Sequence, residues 1–108
     1  MAVNSELTRG VAEPVILSLL NARRMYGYEI IKTVNERTGN AFEWKEGTLY
    51  PCLHRLEVAG LIAGEWEFSE SGKPRKYYSL TAAGRAELAK KVDEWRVFAK
   101  AMDVLLLA

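Results

Sequence analysis

A chain of 108 residues and 12.2 kDa, 49% hydrophobic and 27% charged, is sized for one folded domain plus one further helix, so a second, separate domain is not expected. Its formal net charge of +1 gives no general reason to expect a polyanionic partner. One cysteine, Cys52, and one histidine, His54, exclude a disulfide framework and a multi-cysteine zinc site and leave little for a His-based triad, so neither metal nor cofactor is expected.

Apolar periodicity predicts a first helix from about Leu7 to Asn21, with Val11, Val15, Ile16, Leu19 and Leu20 at helical spacing. Pro14 falls inside this run, so the chain either kinks there or begins its regular helix near Glu13. Leu17 makes the second half apolar nearly all round, which calls for cover that a second subunit could supply. A second helix is expected over Tyr26–Thr38, buried through Ile30, Ile31 and Val34 and stopped at Gly39. Phe42 and Trp44 should pin the connector that follows. The third helix, Gly47 to Ala59, carries the stripe Leu49, Leu53, Leu56, with Thr48 as a possible cap and Pro51 in or near the first turn.

The period then changes to two. Ile62, Trp66 and Phe68 share one parity and Glu65 and Glu67 the other, as in a half-buried strand; Ser69–Pro74 is a turn and Arg75–Leu80 the returning strand. Thr81 is placed to cap a last helix reaching the C-terminus, whose apolar positions Leu88, Val92, Trp95, Ala99, Met102 and Leu106 step by heptad spacing. Three helices, a β-hairpin and a helix give a mostly α protein with a small hairpin. This is the order of a winged helix-turn-helix, with residues 1–80 as the reading unit and 81–108 as a dimerisation helix.

Charge supports that reading once it is divided. Residues 1–68 hold seven Lys/Arg against nine Asp/Glu, residues 69–91 six against two, and residues 92–108 two against three. The basic excess centres on the hairpin tip, where Lys73, Arg75 and Lys76 would meet phosphate. On the third helix, Thr48, Tyr50, Pro51, His54 and Arg55 lie off the apolar stripe and offer donors to bases and phosphates.

Gly47-Thr48-Leu49-Tyr50-Pro51, continuing through Leu53, Arg55-Leu56-Glu57 and Gly60-Leu61-Ile62, resembles the signature of the PadR family of bacterial transcriptional regulators. Tyr26-Gly27-Tyr28-Glu29-Ile30, Gly72–Tyr78, Leu80-Thr81 and Gly84-Arg85 match further blocks in the same order. The resemblance implies a homodimeric repressor on double-stranded DNA, bound to an inverted repeat. It implies Tyr50 and His54 at the groove, Tyr26 and Tyr28 near the backbone, and Lys73, Arg75 and Lys76 in the wing. Lys45 stands where the family often has a small capping residue, and there a lysine could contact phosphate instead. The last helix would cross to a partner, with Val11, Val15, Leu19, Leu88, Val92, Trp95, Met102 and Leu106 at the interface. In some short relatives a planar aromatic effector stacks between such tryptophans. Here Trp95, with Phe98 and Met102, is either that platform or an interface core residue.

A winged-helix module that binds protein rather than DNA is the rival class. An enzyme is disfavoured, because Cys52 and His54 lie two apart on one helix and cannot converge on a substrate. Cys52 reads as a packing residue, with oxidant sensing as the alternative. The apolar stretches are too short to span a bilayer, so a cytoplasmic protein with no membrane partner is expected.

Overall fold

The first apolar run folds as two helices. In the computed structural model, which describes residues 1–108, α1 spans Ser5–Gly10 and α2 spans Ala12–Ala22, with the break at Val11. Pro14 is the physical reason. It has no N–H for the carbonyl of Gly10, and its ring excludes that carbonyl from a continuous helix. At the third position of α2 the missing N–H would have been unpaired anyway. Asn4 caps α1, its side chain accepting from the Glu6 N–H at 2.8 Å. From α2, Ala12, Ile16, Leu17, Leu19 and Leu20 enter the core.

The predicted second helix begins one residue late because Met25–Tyr26 form a two-residue strand, β1; α3 then spans Gly27–Arg37. The recognition-type helix α4 runs Glu46–Val58 and buries Leu49, Cys52, Leu53 and Leu56, the expected stripe plus the cysteine. The N-cap of α4 is Lys45, without a side-chain cap bond, so Thr48 lies inside the first turn instead of capping it. Pro51 also sits deeper than expected, at the sixth helical position, where it leaves the Gly47 carbonyl without its ladder donor. Gly39 and Gly60, the two predicted stops, adopt φ of 57° and 76°, a region that costs glycine nothing.

Strands β2 (Ile62–Phe68) and β3 (Pro74–Leu80) form the hairpin, and β1 pairs with β3, giving a three-stranded antiparallel sheet in the order β1-β3-β2. The alternation on β2 holds, but its expected burial does not. Ile62 is in the core, whereas Trp66 and Phe68 on the same face are 67% and 78% exposed. The hairpin outruns the helices that cover its base.

The connector between α3 and α4 is held by one side chain. Asn35 donates from Nδ2 to the Trp44 carbonyl at 3.1 Å and accepts from the Trp44 N–H at 2.9 Å, and Trp44 is buried as expected. Asn35→Ala should cost about 2 kcal/mol, because both backbone groups lose their partner where water has poor access. Urea denaturation would test this as a lowered midpoint with unchanged slope.

The last helix, α5, spans Ala82–Leu107, about 39 Å at 1.5 Å per residue. Thr81 caps it as predicted: its Oγ1 accepts from the Gly84 N–H at 3.0 Å and donates to the Gly60 carbonyl at 2.7 Å. The Thr81 N–H donates to the Leu61 carbonyl at 3.1 Å, so the first turn of α5 is bolted to the turn between α4 and β2. Beyond that anchor α5 packs on α2 and then runs free, making the molecule elongated at 54 × 32 × 21 Å.

Candidate nucleic-acid interface

Burying Leu49, Leu53 and Leu56 obliges α4 to present Tyr50, Pro51, His54 and Arg55 to solvent. Thr48 is half-buried and Lys45 exposed at the helix start. Tyr50 is seated across the start of α3. A Cβ at Gly27 would strike its hydroxyl and ring, so glycine at 27 is what lets the two helices approach there. Tyr28, in the first turn of α3, is exposed beside it. Arg55 points the other way, with its Nε 3.9 Å from Glu13 on α2. The structure therefore brings Tyr28 and Tyr50 together, leaves Pro51 and His54 exposed on α4, and sets Arg55 beside Glu13 of α2.

The wing is fixed to the body on both faces. On one, Lys76 Nζ donates to Glu57 Oε1 on α4 at 2.9 Å and lies 5.3 Å from the Tyr78 ring centroid. That hydrogen bond holds the Lys76 ammonium above its ordinary pKa, and burial pushes the Tyr78 phenol up. On the other face, Arg24 makes a two-pronged pair with Glu67, at 2.6 and 3.0 Å. Arg24 also covers the Tyr77 ring at 4.6 Å, Tyr77 meets Tyr26 edge-on at 5.4 Å, and Arg75 covers Tyr26 at 4.6 Å. Of the three wing cations, Lys73 is exposed, Arg75 is half-buried over the Tyr26 ring without an ion-pair partner, and Lys76 is already paired.

The Arg24 hydrogen bonds hold the Glu67 carboxyl below the usual glutamate range. A carboxylate with a depressed pKa contributes stability above its unfolded value and loses it as pH falls through the folded one. Acidification through that range should therefore loosen the wing in the native protein, and less so in Glu67→Gln. Amide exchange of β2, followed from neutral pH downward, is the check. Equal acid sensitivity in both would assign the effect to other carboxylates.

The residues expected at a subunit interface fall into three groups. Leu19 is 5% exposed inside its own core and has nothing left for a partner. Val11, Val15, Leu88 and Met102 are half-buried, and Val92, Trp95 and Leu106 are exposed. Trp95 and Phe98 lie 5.7 Å apart and line a groove of about 580 Å³ between α1, Phe42 and α5. Cys52 is buried, and burial pushes its thiol up, which disfavours the thiolate needed for oxidant sensing. The sequence did not single out Arg24, whose partner is 43 residues away. The exposure of Trp66 is equally silent in the sequence, because its parity points to burial.

Tyr28, Tyr50, Trp66, Lys73 and Arg75 all border one cleft of about 820 Å³ between α3, α4 and the wing. The sequence model of the transcriptional regulator PadR-like family matches residues 16–90, the stretch that builds this cleft. The chain belongs to the PadR-like family. A transcriptional regulator from Clostridium thermocellum superposes with a TM-score of 0.88 at 33% identity, covering 97% of this chain and 99% of that one. A PadR family transcription regulator from Clostridium difficile gives 0.78 at 40%, covering 89% and 98%. The negative transcriptional regulator PadR of Bacillus subtilis is 31% identical over 78 residues, 72% of this chain and 43% of that protein. This PadR-like chain is thus a winged-helix, DNA-binding transcriptional regulator, in a family of regulators rather than enzymes. No helix is long and apolar enough to cross a membrane.

Proposed function

We propose that this PadR-like protein is a homodimeric repressor that binds an inverted-repeat promoter site, with residues 1–80 reading DNA and 81–108 joining the subunits. The observation that carries the DNA reading is the cleft that Tyr50 on α4 shares with Lys73 and Arg75 on the wing, with Pro51 and His54 exposed on the same helix. A helix with exposed donors enters a major groove while flanking cations hold the backbone. Repression draws support from the Bacillus subtilis relative, a negative regulator. Dimerisation draws support from α5, whose outer half exposes Val104, Leu105, Leu106 and Leu107, more apolar surface than a lone helix leaves in water. In a dimer the half-open Trp95–Phe98 groove would offer aromatic faces to a planar effector, whose binding would release the operator.

Fluorescence anisotropy on the protein's own upstream region tests the proposal. The expected result is tight binding to a duplex containing an inverted repeat, far weaker binding to a scrambled duplex, and a complex of two chains by sedimentation. A planar aromatic dye should lower the affinity in the native protein and not in Trp95→Ala. Indifference to DNA sequence, together with capture by a protein partner, would instead favour the interaction-module reading.

A further inference from the structure

The face of the wing that begins in the core does not end there. By the sheet register, Ile62 and Leu80, Gly64 and Tyr78, Trp66 and Lys76, and Phe68 and Pro74 are opposed on one face. At the base that face is buried through Ile62, Tyr78 and Leu80, while at the outer end it is open to solvent through Trp66 and Phe68. Folding one chain leaves these rings uncovered, and a pair of exposed large aromatics on one hairpin is a surface awaiting an occupant.

The surroundings say what kind. Trp66 forms one wall of the 820 Å³ cleft, and Tyr28 and Tyr50 line it from α3 and α4. Lys73 and Arg75 also line it, and Glu46 is its only acidic residue. An apolar ring in a cleft that also holds two cations without ion-pair partners, bounded by a recognition helix, suits a chain that alternates sugar and phosphate. Cations take the phosphates, and aromatic faces take the deoxyribose carbons and thymine methyl groups. A protein strand added to the β2 edge fits less well, because exposed Glu65 on that strand guards the edge with charge.

We propose that Trp66 is a DNA-contacting residue, its indole packing on the sugar face of the strand whose phosphates meet Lys73 and Arg75. This rests on the DNA-binding reading above and adds to it a contact that is not ionic. Apolar contacts release no counterions, so Trp66 contributes affinity without contributing salt dependence.

The experiment uses the full chain and a duplex from its own upstream region. Trp66→Ala should bind roughly tenfold more weakly, with the slope of log affinity against log salt unchanged; Trp66→Phe should recover most of the loss. Lys73→Ala should lower the slope by about 0.9 instead. In protein labelled with 5-fluorotryptophan, the resonance absent from Trp66→Phe should shift on adding DNA, while that of buried Trp44 stays. If the native protein binds and Trp66→Ala matches it within twofold, with no shift of the Trp66 resonance, the inference is wrong and the DNA reading survives. If the native protein binds no duplex, both fall. A change in sedimentation of DNA-free Trp66→Ala, with DNA affinity intact, would assign the ring to a contact between copies and overturn the proposal.

Discussion

Gly84→Ala is expected to destabilise the protein by about 3 kcal/mol and to lower its melting temperature by roughly 10–20 °C. Gly84 is buried in the first turn of α5, and a Cβ there would run into the Leu61 carbonyl oxygen and then into Leu80 Cδ1. A flexible side chain could move aside, but this obstacle is backbone, fixed by the Thr81 N–H bonded to the same carbonyl at 3.1 Å. Relief requires lifting α5 from the turn after α4, which breaks the Thr81–Gly60 bond and uncovers Leu80. Thermal denaturation followed by circular dichroism, at fixed protein concentration, is the measurement. A loss below 1 kcal/mol would mean the α5 anchor is looser than its hydrogen bonds imply.

The second large effect is electrostatic. Replacing both Lys73 and Arg75 with alanine should weaken DNA binding by roughly 10- to 100-fold at low salt and reduce the salt slope by about 1.8, two phosphates at 0.9 each. Lys76→Ala is the internal comparison. Its ammonium already has Glu57 at 2.9 Å, so a phosphate must compete for it, and its removal should change the slope by much less. Equal slopes for Lys76→Ala and Lys73→Ala would show that the Glu57 contact opens on binding. Titrations at several salt concentrations separate these cases, since a merely loosened wing would lower affinity without lowering the slope.

What could be read from the sequence depended on the range of the interaction. The Leu49–Leu53–Leu56 stripe, the Thr81 cap and the Gly39 and Gly60 stops are encoded within a few residues, and each stands where expected. Strand β1 was invisible because two residues, Met25 and Tyr26, carry no period; only pairing with Tyr77 and Tyr78 makes them a strand. Alternation places Trp66 and Phe68 on the face of Ile62, yet it reports a face and not what covers it. Leu19 and Val15 lie on the same apolar run, but only the packing around α2 decides that Leu19 faces its own core.

The same distinction governs the candidate interface. Counting charge located the basic wing, because Lys73, Arg75 and Lys76 are neighbours in the chain. It could not tell which of them is already engaged. Glu57 is 19 residues from Lys76, and Tyr26 lies under Arg75 only because β1 joins the sheet beside β3. Arg55 and His54 both lie off the apolar stripe, and only Glu13 on a different helix gives Arg55 a partner within its own chain.

The two-sided attachment of the wing, through Arg24–Glu67 and Lys76–Glu57, bears on the thermodynamics of operator recognition. A hairpin already held in place surrenders little configurational freedom when it meets DNA. Recognition should then resemble docking of rigid bodies, with a modest negative heat-capacity change set by the buried contact area alone. It should lack the much larger change that accompanies a segment ordering on its target. Calorimetry at several temperatures would register the difference, and severing Arg24 from Glu67 should move the protein toward the second regime.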